Sequence, residues 1–331
     1  MKKWISLLSL SLIFACSSPA PESQEAATDT WTQEEKYIEI EANGGKYKVW
    51  TQRNGDNPTK RLLLLHGGPG NTHEYFRSFE EYFPEENIEF IYYDQLGSGK
   101  SDNPADTTFW NIPRFVAEVE QVRQALKLDQ DNFYLLGHSW GGILALEYAL
   151  QHQDKMKGLI ISNMMASCID YGKYAEEVLA PQFDQAVLQE VRAIEADADF
   201  DNPRYMELLM EHYYPKHVLR IPVDEWPEPV MNSLSNVNSQ LYVYMQGPSE
   251  FGIGGTLAQW DRKADLPKIT IPTLTIGGAH DTMDPKHMEW MSTQVQNGTY
   301  LHCPDGSHMA MWDDADTYHR GIIDFIKKTD Q

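Results

Sequence analysis

Cysteine is scarce, with three in 331 residues, so the chain is not a disulfide scaffold. Basic residues are in deficit: 27 Lys and Arg face 49 Asp and Glu, a formal net charge of −22. Such a chain repels phosphates, which argues against nucleic acid as a partner. The charge reads first as solubility. It reads second as a field that draws in cationic substrates, screened within about 8 Å at physiological salt. The apolar run near the N-terminus, Trp4 to Phe14, is too short to span a bilayer. H-E-x-x-H is absent and no Cys/His pair has metal-ligand spacing, so neither a metal nor a cofactor is expected. Repeats and low-complexity stretches are missing from Trp31 onward. What is present is ordinary for a globular chain, with 41% hydrophobic residues, 22 Gly and 18 Pro. That is enough apolar sequence for one large domain or two small ones.

The N-terminus reads as an address. Lys2 and Lys3 precede the apolar run, and Ala15-Cys16 closes it, the layout of a secretory signal over residues 1–15. Ile13-Phe14-Ala15-Cys16 resembles a bacterial lipobox, which implies cleavage before Cys16 and lipidation of its thiol. A plain secretory signal cut near Ala15 is the alternative. Residues 16–30 are Ser, Pro, Ala, Glu and Thr with almost nothing to bury, so a disordered tether is expected there. Several acyl chains on Cys16 would hold a membrane stably. The expected location is the cell envelope, and Ser17 after the cysteine resembles outer-membrane sorting. Cys168 and Cys303 then remain, expected as two free, buried thiols.

Further on, Tyr37 to Trp50 reads as a hairpin turning at Asn43-Gly44. Short apolar runs follow as buried strands: Arg61–His66, Ile88–Asp94, Phe133–Leu136, Gly158–Ser162, Ile271–Ile276 and Thr299–Cys303. Helical patterns separate several of them, at Asn111–Leu126, Gly142–Gln151, Pro285–Gln294 and Asp313–Lys328. Alternating strands and helices predict an α/β fold with a mostly parallel sheet covered on both faces. From about Ala166 to Gln259 the rhythm stops, and helical segments interrupted by Pro222, Pro227 and Pro229 take over. The expected organisation is a core over residues 31–165, a helical cap over 166–259, and the rest of the core over 260–331.

Two glycine motifs carry chemistry. Gly137-His138-Ser139-Trp140-Gly141 follows one predicted strand and precedes a helix. G-x-S-x-G in that context is a nucleophile elbow, which lifts Ser139 Oγ above the sheet. His66-Gly67-Gly68-Pro69-Gly70 ends an earlier strand. A tetrahedral oxyanion needs two convergent donors, best supplied by backbone amides. Trp140 and Gly68 are the expected pair, glycine allowing close approach of the backbone. A Ser–acid–His order then points to Asp281, or less directly Asp284, after the Ile271–Ile276 strand. It points to His308 on the loop before the last helix. With Ser rather than Asp at the elbow, epoxide-hydrolase and dehalogenase chemistry is disfavoured.

These motifs, with Asp94-Gln95-Leu96-Gly97-Ser98-Gly99-Lys100-Ser101, resemble those of the proline iminopeptidases, serine enzymes of the α/β-hydrolase fold. Asp224–Pro229 and Gly247-Pro248-Ser249-Glu250-Phe251 are most similar to the branch containing the tricorn-interacting aminopeptidase. The resemblance spans about Tyr37 to Lys328. It implies a serine aminopeptidase that releases proline or other small apolar residues from short peptides. It also implies that Glu250 binds the substrate's ammonium. Trp140, Phe251 and the cap aromatics Tyr213, Tyr214, Tyr242 and Tyr244 are available to line an apolar pocket, each read first as core and second as substrate contact, with Phe251 taken beside Glu250 as substrate-binding. A second amine-binding glutamate of that branch directly follows the catalytic acid, and here the position is Thr282. That departure leaves open an amino-acid amidase or carboxylesterase of the same fold. A non-enzymatic binding protein would show a damaged triad, and none is seen.

Overall fold

Asn43 and Gly44 both take positive φ, 49° and 77°, in a two-residue turn whose backbone follows the right-handed twist of its strands. The hairpin they close is longer than its predicted span: β1 is Gln33–Ala42 and β2 is Gly45–Asn54. The computed structural model describes Met1 and residues 31–200 and 202–330. The signal over 1–15, Cys16 and the tether over 16–30 fall outside the described residues.

Six further strands follow, β3 (Arg61–Leu65), β4 (Glu89–Asp94), β5 (Phe133–His138), β6 (Gly158–Ser162), β7 (Pro272–Gly278) and β8 (Asn297–Cys303). They form one sheet in the order β1-β2-β4-β3-β5-β6-β7-β8. β2 joins β4 antiparallel, and every pairing from β4 through β8 is parallel. The α-helices of seven or more residues among the described residues are α1 (Ile112–Ala125), α2 (Trp140–His152), α3 (Cys168–Tyr174), α4 (Gln185–Ala196), α5 (Pro203–His212), α6 (Glu228–Ser235), α7 (Ser239–Met245), α8 (Pro285–Gln294) and α9 (Ala315–Thr329).

The run Arg61-Leu62-Leu63-Leu64-Leu65 shows why the sheet is central. Side chains alternate across a strand. Leu63 and Leu65 therefore lie on one face, in a core shared with Val116 and Val119 of α1, Leu144 and Ala145 of α2, and Met288 and Met291 of α8. Leu62 and Leu64 lie on the other face, in a core shared with Phe76, Phe79 and the Tyr318, Ile322 and Ile326 stripe of α9. Each buried leucine contributes about 1.5–3 kcal/mol of transfer free energy. A strand buried on both faces reads as a continuous apolar run.

Between β6 and β7 the described chain is helical, apart from two isolated bridges. The entry and exit of this segment meet: Arg262 N–H donates to Ala166 O at 2.8 Å, and Cys168 N–H to Trp260 O at 2.9 Å. Glu147 of α2 holds the exit, accepting from Trp260 Nε1 at 2.6 Å and from Arg262 Nε at 2.7 Å. This segment is the inserted helical cap.

The predicted Asp313–Lys328 helix is present as α9 but starts two residues later, at Ala315, after a separate single turn, Ala310–Asp313. Asp314 leaves the helical region at φ −136°, ψ 48°. Both carboxylates turn back instead. Asp313 accepts from Ser307 N–H at 3.0 Å and Arg220 N–H at 2.9 Å, and Asp314 accepts from Asp305 N–H at 3.1 Å. Helix propensity yields here to fastening the loop that carries His308. Cys168 and Cys303 are free and buried. No helix among the described residues is long and apolar enough to cross a membrane.

Candidate active site

The loops that follow β3 through β8 all leave the carboxyl edge of the parallel strands, the edge where open α/β sheets place their ligands. They carry Gly68, Gln95, Ser139, Asn163, Asp281 and His308 in turn.

Ser139 sits on the tight turn between β5 and α2 at φ 56°, ψ −126°. This is a sparsely populated conformation for a non-glycine residue, held by its surroundings. Its N–H donates to Ser162 O at 3.0 Å. A Cβ on Gly137 would lie 1.9 Å from Gly141 O, and one on Gly141 would lie 2.0 Å from Leu65 O. Both flanking glycines are required by backbone contact.

His308 Nδ1 pairs with Asp281 Oδ1 at 2.8 Å, and both groups are buried. The Asp281 carboxylate also accepts from Met283 N–H at 3.1 Å and from Asn163 Nδ2 at 2.7 Å. Asp284, the alternative acid, instead caps α8 by accepting from Lys286 N–H at 2.9 Å. Thr282 is fully buried, its hydroxyl 3.3 Å from both Asp281 Oδ1 and His308 Nδ1. Burial alone would lower the basicity of His308. The Asp281 charge and hydrogen bond, with the Glu250 and Asp313 charges, overcome that and hold it above its ordinary 6.5. Ser139 and His308 line the same cavity. No hydrogen bond joins them among the described residues, and such contacts commonly close only around substrate.

Backbone amides converge beside Ser139. A Cβ on Gly67 would lie 2.9 Å from Ser139 Cβ, so the glycine loop touches the nucleophile. Gly67 N–H is already committed to Tyr75 Oη at 2.6 Å. The Gly68 and Trp140 N–H groups have no acceptor among the described residues. His138 connects the loops, with Nδ1 3.0 Å from Tyr75 Oη and Nε2 2.8 Å from His308 O. Neutral His138 with its proton on Nε2 satisfies the whole chain: Gly67 N–H donates to Tyr75, Tyr75 O–H to Nδ1, and Nε2–H to His308 O. Burial and the neighbouring His308 push its basicity well below the ordinary value, which keeps it neutral.

Gln95 makes the second cross-link. Its Nε2 donates to His66 O at 3.0 Å, and its Oε1 accepts from Trp140 Nε1 at 2.9 Å. One fully buried amide thus ties the Gly68 loop to the elbow. The loop after Gln95 wraps the Asp94 carboxylate, which accepts from His73 N–H at 2.9 Å and Lys100 N–H at 3.0 Å. Replacing Gln95 with leucine leaves His66 O and Trp140 Nε1 unpaired. We expect kcat to fall about tenfold, a part of the 10²–10³ lost with a whole oxyanion donor. Steady-state kinetics beside thermal unfolding checks this; an unchanged kcat in a folded variant contradicts it.

Above these loops the cap encloses a cavity of about 790 Å³. Met206, Met210, Met231, Phe200, Leu234 and Val243 make much of its wall, and Glu250 is the one carboxylate among its lining residues. Four tyrosines fix Glu250. Tyr242 Oη donates to Oε1 at 2.6 Å, Tyr171 and Tyr213 donate to the backbone carbonyl at 2.7 and 3.2 Å, and Tyr214 Oη accepts from its N–H at 3.5 Å. Oε2 lies 3.8 Å from His308 Nε2.

Not every expected wall residue is on the wall. Tyr214, Tyr242 and Tyr244 line the cavity. Phe251 does not: its ring packs on Phe183 and Tyr213 at 5.0 and 5.3 Å in the cap interior. Tyr213 is fully buried with it. The Trp140 indole is turned to Phe115 and Gln95, so only its backbone faces the nucleophile's side. Sequence reading missed Tyr75 and Asn163, took Gln95 only as part of a motif, and took Tyr242 only as an aromatic of the wall and not as the donor that fixes Glu250. A polar residue directly after a parallel strand was the available signal for Gln95 and Asn163.

Comparison with known proteins agrees with this architecture. Residues 60–315 match the alpha/beta hydrolase fold family. A proline iminopeptidase of Flavobacterium johnsoniae is 56% identical over 289 residues, covering 87% of this chain and 97% of the relative. Another, from Elizabethkingia meningoseptica, is 56% identical and covers 88% of this chain and 98% of the relative. The crystal structure of proline iminopeptidase from Mycobacterium smegmatis superposes with a TM-score of 0.77 at 27% identity, covering 89% of this chain and 99% of that one. The chain is a serine hydrolase of the α/β-hydrolase fold, and it belongs to the proline iminopeptidase family.

Proposed function

We propose that the chain is an aminopeptidase that releases N-terminal proline or other small apolar residues from short peptides through an acyl-enzyme. The observation that carries this reading is Glu250, a lone carboxylate fixed by tyrosines in an apolar cavity beside Ser139 and His308. A carboxylate so placed favours a free N-terminal ammonium and leaves internal peptide bonds without a partner.

In this reading Ser139 Oγ attacks the acyl carbon while His308 Nε2 takes its proton. The Gly68 and Trp140 amides hold the oxyanion, and Asp281 keeps the imidazole in register. His308 then protonates the leaving amine as the C–N bond breaks. Water, deprotonated by the same nitrogen, hydrolyses the acyl-Ser139 ester and restores the enzyme.

The Glu250→Gln variant tests the amine contact. A charge-assisted hydrogen bond contributes roughly 1.5–3 kcal/mol. We therefore expect kcat/KM for alanine arylamide to fall about 10- to 150-fold at the maximum of its pH profile, from that energy range. The N-acetylated arylamide should lose nothing at its own maximum, and an equal loss for both would sink the reading. A second reading, an amino-acid amidase or carboxylesterase indifferent to the amine, is favoured by Thr282. That residue is buried beside Asp281 and offers the cavity no second carboxylate.

We also propose that the enzyme is tethered to the cell envelope through lipid on Cys16. The support is the lipobox-like Ile13–Cys16 and the polar stretch after it. Cys16→Ala should move the protein from the membrane to the soluble fraction, and an unchanged distribution speaks against the tether.

A further inference from the structure

His308 lies between two carboxylates. Asp281 holds Nδ1 at 2.8 Å, and Glu250 Oε2 faces Nε2 at 3.8 Å. Nε2 is the nitrogen that must be unprotonated to accept the proton of Ser139. An imidazole flanked this way is favoured as imidazolium, which cannot act as a base. We propose that Glu250 gates the base: without substrate it holds His308 protonated, and a substrate ammonium that pairs with Glu250 releases His308 to act on Ser139. This rests on the aminopeptidase reading and deepens it, because the free amine then governs turnover as well as binding.

The geometry supports a gate. At 3.8 Å the Glu250–His308 contact is too long for a hydrogen bond but close enough for strong charge coupling in a site walled by apolar side chains. Tyr242 holds the other carboxylate oxygen, so Glu250 has one free oxygen to share between His308 and an ammonium. When the ammonium docks, one positive charge replaces another beside Glu250, and the proton on Nε2 passes to water. One proton is released on binding, and the neutral imidazole is left facing Ser139.

The groups around His308 leave Glu250 as its substrate-sensitive charge. Asp281 is sequestered by Asn163 and the Met283 amide. Asp313 acts from behind, through Ser307. His138 touches the His308 carbonyl, and the His217 carbonyl accepts the His308 N–H at 3.0 Å. Burial lowers the basicity of both His138 and His217. Tyr75 and Tyr242 are phenols pushed up by burial, so they stay protonated donors. Of the carboxylates around His308, Glu250 alone lines the cavity that substrate enters.

The test uses the full-length protein and its Glu250→Gln variant, with a short-chain p-nitrophenyl ester that carries no amine. The acid limb of kcat/KM reports the free enzyme's base. We expect that limb to move down by about one pH unit in the variant, the lower end of what a nearby charge does. Ester turnover below the limb should rise about tenfold with it. The low-field proton of the His308–Asp281 hydrogen bond, followed by NMR, should titrate with the same shift. On the wild type alone, alanine arylamide should show the acid limb of kcat below that of kcat/KM.

An unmoved ester limb, or coincident limbs in the wild type, overturns the gate. If the limb stays while the variant still loses alanine arylamide selectively, the amine contact stands and the gate falls. If the limb moves without that selective loss, Glu250 sets the charge of His308 but no ammonium relieves it, and the amine contact and the gate fall together.

Discussion

Ser139→Ala is expected to lower kcat on alanine arylamide by about 10⁴- to 10⁶-fold with KM nearly unchanged, the scale on which removing the nucleophile acts in serine hydrolases. The reason is local. Ser139 is the hydroxyl residue at the turn between β5 and α2, and the turn brings no substitute into its place. The fold should survive, because alanine keeps the same Cβ at φ 56° and the flanking contacts of Gly137 and Gly141 are untouched. A small residual rate would come from the Gly68 and Trp140 amides and from the cavity, which bind and polarise the substrate without attacking it. Single-turnover kinetics, beside loss of covalent labelling by a fluorophosphonate, checks this. Wild-type labelling in the variant would place the nucleophile elsewhere.

Asp281→Asn is the second large effect, expected at about 10⁴-fold in kcat, the loss seen when the acid of a Ser-His-Asp triad becomes an amide. Asp281 is surrounded by donors: His308 Nδ1–H, the Met283 amide, the Thr282 hydroxyl and Asn163 Nδ2. A carboxylate accepts from all of them. An amide must turn its NH₂ toward one of them, and the mismatch costs about 1–3 kcal/mol of stability besides. If the NH₂ faces His308, the imidazole flips tautomer and presents Nε2–H to Ser139, where a lone pair is needed. Rate and thermal unfolding should therefore fall together. Asp284→Asn should leave the rate near wild type, since that side chain only caps α8. A larger loss at Asp284 than at Asp281 would reverse the assignment.

Much of this was legible in the sequence, for identifiable reasons. Leu62 to Leu65 read as a strand because a strand buried on both faces needs apolar side chains at every position. The elbow read as an elbow because Gly137 and Gly141 are forced by backbone contacts of 1.9 and 2.0 Å, so the motif is a steric requirement. Pattern ranked Asp281 ahead of Asp284 without deciding between them. Only the structure distinguishes a carboxylate that meets His308 from one that starts a helix.

The cap was the least legible part. It has two apolar environments, its own interior around Phe183, Tyr213 and Phe251 and the cavity wall of Met206, Met210 and Met231. Both call for the same residue types, so adjacent Tyr213 and Tyr214 could not be assigned to one or the other. Gln95 and Tyr242 were named in the sequence, but their roles were hidden for another reason. Their importance lies in hydrogen bonds to residues distant in the chain or placed by the cap, which periodicity does not record.

The most direct measurement compares proline, alanine and leucine arylamides with their N-acetylated forms and a short-chain ester, using the wild type and Ser139→Ala. The account predicts Ser139-dependent turnover that is strong for the free amines and weak for their blocked forms, with the ester slow near neutral pH. Equal turnover of free and blocked arylamides would contradict it, because the Glu250 carboxylate would then be selecting nothing.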